Sequence, residues 1–260
     1  MNAVIDTLLK RKSIRAYQQK EIDAEVKAEI LQATLRAPTA GNMMLYSIVD
    51  VTDQAIKDRL AKTCDNQPFI AKAPLLWLFL ADYQRWQDYF VASGVERVCE
   101  ENNQSMRKPS EDDLFLACSD ALIAAQTAVI AAESFGIGSC YIGDIMEQFE
   151  THRELFNLPR YTFPICLVCF GYPTEQQIKR EPSSRFDEKF IFFENRYRRL
   201  ENPEFEEMFS QRHAQMFNGR EGFDGLRNVG QVIYRRKFSA EFSLEMTRSV
   251  RAMLKEWESD

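Results

Sequence analysis

The sequence predicts a sandwich of helices and strands, of α/β or α+β class, built around one main domain. Residues 75–80 are apolar without alternation, which is typical of a strand covered on both faces. Residues 114–135 form an alanine-rich apolar run, which predicts a central helix packed on most of its circumference. Two β-prone runs, 140–142 and 165–170, lie beside glycines and predict two further strands. Helices that alternate with strands in this way form layered folds.

The elements before the central helix follow from the spacing of apolar residues. Residues 22–36 carry apolar side chains on one helical face, with Asp23 as a suitable N-cap and Pro38 after the last turn. Residues 46–51 predict a short strand. Residues 54–63 predict an amphipathic helix.

The segments outside this core are predicted from their composition. Residues 102–112 carry Pro109 and many polar side chains, which favours a mobile lid between two helices. Asn202 and Pro203 predict the N-cap and first turn of a later helix. The tail then places apolar residues at helical spacing, namely Phe242, Met246, Val250, Met253, Leu254 and Trp257. This stripe either covers the protein's own core or packs on a second subunit, and the spacing alone favours neither.

Composition and charge restrict the classes of protein. The formal charge of -6 argues against general nucleic-acid binding, which depends on neutralising phosphates. The start of the sequence lacks the basic-then-apolar order of a secretory signal. Residues 114–135 are long enough to span a membrane, but Asp120, Gln126 and Glu133 interrupt them. We therefore expect a cytoplasmic protein without nucleic-acid or membrane partners.

Cysteine and histidine positions predict no metal site. The six cysteines are scattered through apolar segments, which indicates reduced, buried thiols. Cys166 and Cys169 have metal-like spacing, but residues i and i+3 of a strand face opposite sides, so two buried thiols are expected. His152 lies in a polar helical run and is predicted to be a surface residue.

Four short motifs carry chemistry. Arg11, Ser13 and Arg15 can meet one anion if the chain leaves a helix here, although a solvated helix cap is the alternative. Residues 37–42 form a turn of small side chains, which lets a flat ligand approach the main chain. Residues 136–143 end a helix and enter a strand, unlike a dinucleotide fingerprint. Residues 171–173 precede two more cations, Lys179 and Arg180.

Together these motifs resemble the FMN-dependent nitroreductase family, over most of residues 1–200, and in particular its oxygen-insensitive NADPH nitroreductases and bacterial flavin reductases. The resemblance implies an α+β, nitroreductase-like three-layer sandwich. Its mixed, mainly antiparallel sheet would be flanked by helices around a central buried helix. It further implies an FMN-binding core domain at residues 1–200. A helical C-terminal extension at residues 201–260 would pack on the partner subunit of a homodimer.

The resemblance also implies the residues of the cofactor site. Cations and a hydroxyl would hold the FMN phosphate and polar ring edge, namely Arg11, Lys12, Ser13, Arg15, Lys179 and Arg180. The partner's turn would border the ring with Thr39, Ala40, Gly41, Asn42 and Met43. Gln67 would contact the isoalloxazine, and the ring would be lined near N5 by Tyr141, Ile142, Gly143 and Asp144. No side chain is required as a catalytic acid or base, because the flavin N5 carries the hydride.

The implied activity is two-electron reduction of nitroaromatics, quinones, azo compounds or free flavin, with NADPH or NADH as co-substrate and tightly bound FMN. The alternatives are a same-fold flavin enzyme of dehalogenase or flavin-degrading type, and a flavin-binding protein without turnover. The motif positions leave open whether Arg180 or Arg185 reaches the phosphate. Arg212 and Arg220 are candidates for the extra phosphate of NADPH.

Overall fold

A computed structural model describes residues 2–222 and 224–258. Contacts divide the chain into two compact units. The first contains the residues up to Glu181 together with those from Glu245 onward, and the second contains Pro182–Leu244. The sequence placed this division at residue 200 and treated the whole tail as one extension. The chain returns to the first unit because Trp257 is buried there, edge-on against Tyr161 and Phe163.

One antiparallel sheet forms the centre of the first unit. Its described strands are β1 (Tyr46–Asp50), β2 (Leu75–Asp82), β3 (Gly138–Ile142) and β4 (Thr162–Gly171), in the order β1-β2-β4-β3. Every residue of β2 is buried, as its unbroken apolar run predicts. β4 begins earlier than expected because the register shifts opposite Phe79 and Leu80, where Pro164 is accommodated in the strand pairing.

Helices cover both faces of the sheet. The helices that precede residue 182 are α1 (Ala3–Lys10), α2 (Ala24–Thr34), α3 (Gln54–Thr63), α4 (Gln84–Ala92), α5 (Val95–Glu101), α6 (Glu111–Ser134), α7 (Phe149–Phe156) and α8 (Glu175–Lys179). They are followed by α9 (Asn202–Phe217), α10 (Val229–Ile233) and α11 (Glu241–Glu258). The helices expected at 22–36, 54–63 and 114–135 are confirmed, as are the four strands.

The central helix α6 packs its alanine face on the sheet. Ala121, Ala125 and Ala128 are fully buried in the cluster that contains Trp77 of β2 and Ile30 of α2. By length and composition α6 could cross a membrane, and this burial identifies it as the core helix of the fold. The opposite face of the sheet packs against α3. The result is the three-layer α+β sandwich that the resemblance implied.

The structure agrees with the sequence prediction for Cys166 and Cys169 but not with the prediction for His152. Cys166 and Cys169 are free and buried in the clusters on opposite faces of the sheet, as predicted. Cys99 and Cys118 are only partly buried, so the expectation that all six thiols are buried is wrong for these two.

His152 was predicted at the surface, and this prediction is wrong. Its ring is fully buried, with Nδ1 2.8 Å from the Ile145 carbonyl oxygen and Nε2 2.8 Å from the Thr63 hydroxyl. Burial lowers the pKa of this histidine.

The start of α9 and the connection between α5 and α6 were both predicted from composition, and the structure describes each in more detail. Glu201, and not Asn202, is the N-cap of α9, because its side chain and that of Glu204 form a reciprocal capping box. Residues 102–110 connect α5 to α6 without regular structure. Arg107 of this connection lies 2.8 Å from a carboxylate oxygen of Asp113, which is buried at the start of α6.

Candidate functional site

The N-terminal cation segment lies against the start of β3. α1 ends at Lys10, and the chain then extends so that Ser13 pairs with Ser139 in an isolated parallel bridge. The Ile14 N–H donates to the Ser139 carbonyl oxygen at 2.8 Å. This approach requires glycine at position 138, because a Cβ there would lie 2.4 Å from Ile14 Cγ1. Gly138, which belongs to the third sequence motif, therefore leaves room for the N-terminal segment that carries the first motif.

A second glycine, Gly171, leaves room for Tyr17 in the next part of the N-terminal segment. Tyr17 forms an antiparallel bridge with Pro173, and the Gln18 N–H donates to the Tyr172 carbonyl oxygen at 2.8 Å. A Cβ on Gly171 would lie 2.6 Å from Tyr17 Cδ1. The segment therefore runs along the Gly171–Pro173 turn, which brings the first and fourth sequence motifs together.

Two of the predicted cations, Lys12 and Arg180, form hydrogen bonds that hold the N-terminal segment against the segment at residues 178–180. Lys12 Nζ donates to the Ile178 carbonyl oxygen at 2.7 Å and also to that of Arg180. The Arg180 guanidinium donates in turn to the Ser13 carbonyl oxygen. Lys179 is directed elsewhere, since its Nζ pairs with Glu175 at 3.8 Å and its side chain is 80% exposed. Arg185 donates to the nearby Ser183 carbonyl oxygen at 3.1 Å.

Arg11 and Arg15 are the cations with donors to spare. Arg11 Nη1 is buried and has no hydrogen-bond partner in the part of the chain that the structure describes. The exposed Arg15 guanidinium lies 6.0 Å from the centre of the Phe69 ring. Glu133, near the end of α6, lies close to Arg11 and Lys12. Burial raises the pKa of Glu133 to about 7, and Arg11 and Lys12 oppose that rise.

The turn at residues 39–43 is held by a buried carboxylate. Asp120 of α6 accepts from the Thr39 hydroxyl, from the Ala40 N–H at 3.0 Å and from the Leu45 N–H at 3.1 Å. Two turn residues, Gly41 and Asn42, have left-handed backbones, as does Met44 directly after the turn. The Trp86 indole donates to the Met43 carbonyl oxygen at 2.8 Å. Gly41 and Asn42 are therefore exposed on a fixed backbone.

The turn and the cation segment do not meet within one chain. The turn is anchored at Asp120, whereas the cation segment faces Glu133 on the same helix. A separation of thirteen residues corresponds to about 20 Å along an α-helix. One chain therefore presents these two predicted parts of the site at different places.

The segment after β3 offers an open surface. Tyr141 is half-buried, and its hydroxyl lies 3.2 Å from Gln126 Oε1 of α6. Ile142 is buried, and Gly143 begins a 3₁₀ turn that ends at Met146. Apart from Gly143 and its two neighbours in the chain, no described atom lies within 4 Å of the position that a Cβ would occupy on Gly143. A flat ligand can therefore approach this backbone closely.

Gln67 and Asp144 are brought together from separate segments. The chain reaches Gln67 through left-handed backbones at Asp65 and Asn66, residue types that tolerate that conformation. Gln67 Nε2 donates to Asp144 Oδ2 at 2.7 Å and to the Cys64 carbonyl oxygen at 3.0 Å. Glu147 lies beside Asp144 and is buried.

Known proteins match the chain across these segments. A sequence model of the nitroreductase family matches residues 8–172. The chain belongs to the nitroreductase family. This nitroreductase-family chain is 30% identical over 199 residues to an FMN reductase (NADPH) of Bacillus subtilis, which covers 76% of this chain and 75% of that protein. It is 26% identical over 201 residues to an oxygen-insensitive NADPH nitroreductase of Salmonella typhimurium, which covers 77% of each.

Solved structures of the nitroreductase family match nearly the whole chain. Nitroreductase A from Vibrio parahaemolyticus superposes with a TM-score of 0.78 at 26% identity, covering 98% of both chains. The nitroreductase fold of this chain therefore includes residues on both sides of the family match.

Three carboxylates of the site region were not assigned a role from the sequence. Asp120 anchors the turn, Glu133 faces the cation segment, and Glu147 lies beside Asp144. A signal existed for the first two, because both interrupt the apolar run of the central helix. Glu147 carries no such signal in its local sequence.

Proposed function

We propose that the protein is an FMN-dependent oxidoreductase that uses NAD(P)H to reduce nitroaromatics, quinones, azo compounds or free flavin by two electrons. The observation that carries the proposal is the cation segment at residues 11–15, held beside Ser139 in a chain of the nitroreductase family. Relatives named as an FMN reductase (NADPH) and an NADPH nitroreductase support it.

The residues present fit FMN. Arg11 Nη1 is a buried donor without a described partner, and the Arg15 guanidinium lies nearby in sequence with Ser13 between them. This donor set suits a phosphate that carries close to two negative charges. Arg180 donates to the Ser13 carbonyl oxygen inside the cation segment, whereas Arg185 donates to Ser183, so Arg180 is favoured over Arg185 as the downstream cation of the site. The open Gly143 backbone leaves room for a flat ring.

In this proposal the protein binds and orients, and no side chain moves a proton. Bound FMN supplies hydride acceptance from NAD(P)H and electron transfer to the acceptor. Arg11, Ser13 and Arg15 hold the phosphate, while Gln67 contacts the polar ring edge. Tyr141, Ile142 and Gly143 border the ring. The exposed turn at residues 39–43 covers it from a second copy of the chain.

The proposal includes a homodimer, for which two observations speak. The turn at residues 39–43 and the cation segment lie about 20 Å apart along α6, so one chain does not complete the site. α1 and α6 also expose apolar residues, namely Val4, Leu9, Phe115, Leu116, Leu122 and Ile123. Contiguous exposed apolar surface on helices is typical of an interface. A cytoplasmic location is proposed from the six free cysteines.

Nicotinamide preference and acceptor are further parts of the proposal. Arg212 stacks on Phe186, with its Cζ 3.8 Å from the ring centre, and remains a candidate for contact with the extra phosphate of NADPH. The acceptor is proposed to be a small aromatic compound, because the backbone at Gly143 is open to the approach of a flat ring.

The test is to load the purified protein with FMN and measure turnover of a nitroaromatic with NADPH and with NADH. We expect quenching of flavin fluorescence on binding, followed by oxidation of the nucleotide that depends on both FMN and the acceptor. Binding of FMN without turnover with either nucleotide would favour a flavin carrier. Failure to bind FMN at all would overturn the proposed function.

A further inference from the structure

Gln67 presents a fixed amide. Both of its Nε2 hydrogens are used within the chain, one by Asp144 Oδ2 at 2.7 Å and the other by the Cys64 carbonyl oxygen at 3.0 Å. A flipped amide would place Oε1 against two acceptors, so the hydrogen-bond network favours the observed orientation. The polar atom of Gln67 that remains for a ligand is therefore Oε1, which accepts hydrogen bonds and donates none.

A second carboxyl group, that of Glu147, lies beside Asp144. Glu147 is 4% exposed, and among the described residues its Oε1 has no hydrogen-bond partner. Burial raises the pKa of Glu147 to about 8, and the charge and hydrogen bond of Asp144 contribute to that rise. At neutral pH Glu147 is therefore a neutral acid whose hydroxyl can donate to an oxygen of Asp144.

The charged groups that act most strongly on Glu147 are carboxylates, and a cation, Arg248, is paired with one of them, Glu245, at 2.8 Å. The carboxylates near it repel its negative charge, and its neighbours also include a thiol and an imidazole. These groups are Asp65, Asp144, Glu245, Cys64 and His152. Loss of the Glu147 proton would therefore place two adjacent anions behind Gln67.

We propose that Asp144 and Glu147 are positioning residues: Glu147 donates a hydrogen bond to Asp144, Asp144 accepts from Gln67, and Gln67 thereby presents only an acceptor to the ligand. This inference rests on the proposed function. An acceptor selects a ligand edge that carries an N–H group, and the isoalloxazine ring carries one between its two carbonyl groups. Asp144 then acts through Gln67, whereas the sequence suggested that it lines the ring itself.

Two consequences distinguish this arrangement from a purely structural role. Substitutions of Asp144 and Gln67 should not add in their effect on FMN affinity, because they remove the same contact. FMN affinity should also fall as the pH rises through about 8, since ionised Glu147 no longer donates to Asp144. Glu147→Gln retains a neutral donor, so this variant should lose the pH step while keeping the affinity.

The experiment measures the FMN dissociation constant by fluorescence quenching for the full-length wild type, Gln67→Ala, Asp144→Ala and the double variant. Each single variant should weaken binding about 10-fold, and the double variant no more than either single one. The control Asp58→Ala removes a similar amide contact, from Gln54 Nε2 at 2.8 Å, and should leave the constant unchanged. Circular dichroism of each variant checks that the fold is retained.

A second series follows the same constant from pH 6 to pH 10 for the wild type and Glu147→Gln. A step in the wild type that is absent in Glu147→Gln supports the proposal. Multiplying effects of Gln67→Ala and Asp144→Ala, or an identical pH profile in both proteins, would overturn it. If the wild-type protein binds no FMN at any pH, the proposed function itself is contradicted. This outcome differs from failure of the positioning proposal, in which the wild type binds FMN and only the comparison among variants fails.

Discussion

At the scale of single residues, the cations of the N-terminal segment have two different tasks. Lys12 and Arg180 are bonded to backbone carbonyls, so much of their hydrogen-bonding capacity serves the fold. Arg11 and Arg15 retain donors for an anion. The sequence motif alone does not separate these tasks, because all four side chains carry the same charge.

Arg15→Ala tests the ligand-binding task. We expect the FMN dissociation constant to rise at least about 10-fold, because one charge-assisted contact to the phosphate is lost. The matched control is Lys179→Ala, whose side chain is 80% exposed and pairs with Glu175. Its constant should change less than about twofold. Equal constants for Arg15→Ala and the wild type, with circular dichroism unchanged, would contradict the assignment of Arg15.

Glu147→Gln tests the neutral state of Glu147 without a ligand. Burial raises the folded-state pKa of Glu147 from 4.5 to about 8. Between these values the folded state holds the additional proton, so wild-type stability should fall as the pH rises through this window. The substituted amide does not titrate, so the variant's melting temperature should match the wild type near pH 4 and exceed it by about 10 °C at pH 9. Parallel melting curves across this range would argue that Glu147 ionises normally.

His152 shows why single residues are hard to place from one sequence. Its neighbours in the chain are polar, which favoured a surface position. Its burial depends on Thr63, a hydrogen-bond partner 89 positions away. Glu147 is similar, since its unusual environment arises from Asp65, Asp144 and Glu245. Such environments depend on tertiary contacts that local periodicity does not encode.

At the scale of elements, the sequence predicted whether a segment is a helix or a strand better than it predicted the residues at which the segment begins and ends. α3 follows its predicted range because an apolar face and an Asp53 side-chain cap are both local signals. The end of α6 was also foreseeable, since Gly136 supplies the left-handed residue of a helix C-terminus. The start of β4 was missed, because the pairing of Pro164 with Leu80 depends on a register shift relative to β2.

Gly138→Ala tests the contact between the cation segment and β3. The new Cβ would lie 2.4 Å from Ile14 Cγ1, so the segment must move away from Ser139. We expect a lower melting temperature and FMN affinity weakened about 10-fold, because Ser13 and Arg15 are displaced together. The double variant with Ile14→Ala removes the colliding atom and should recover part of the affinity. Full affinity in Gly138→Ala alone would show that this close approach is not needed.

At the scale of the whole molecule, the cores of the two units are separate. The first unit contains the sheet, α6 and the buried end of α11, and the second has its own small cluster around Phe217, Val229 and Val232. The apolar stripe of the tail helix therefore serves the protein's own core at Met253 and Trp257. Helical spacing alone could not decide this, because both alternatives need the same pattern. The packing on a partner subunit that the resemblance implied for residues 201–260 is wrong for Met253 and Trp257.

Ile123→Glu tests the proposed homodimer. Ile123 is 40% exposed on the outer side of α6, where a charge would be buried between two copies. We expect sedimentation to show a monomer and FMN affinity to fall, because the turn at residues 39–43 of the second copy is lost. Val98→Glu places the same charge at an exposed position of α5 and should remain dimeric. A wild-type monomer that binds FMN tightly would contradict a shared site.

The central claim is that this fold binds FMN for reduction by a nicotinamide nucleotide. The most direct measurement is an anaerobic titration of the FMN-loaded protein with NADPH, followed through the visible absorbance of the flavin. We expect complete bleaching with one equivalent of NADPH per bound FMN, and recovery of the absorbance when a nitroaromatic is added. Absorbance that persists in excess NADPH and excess NADH would contradict it.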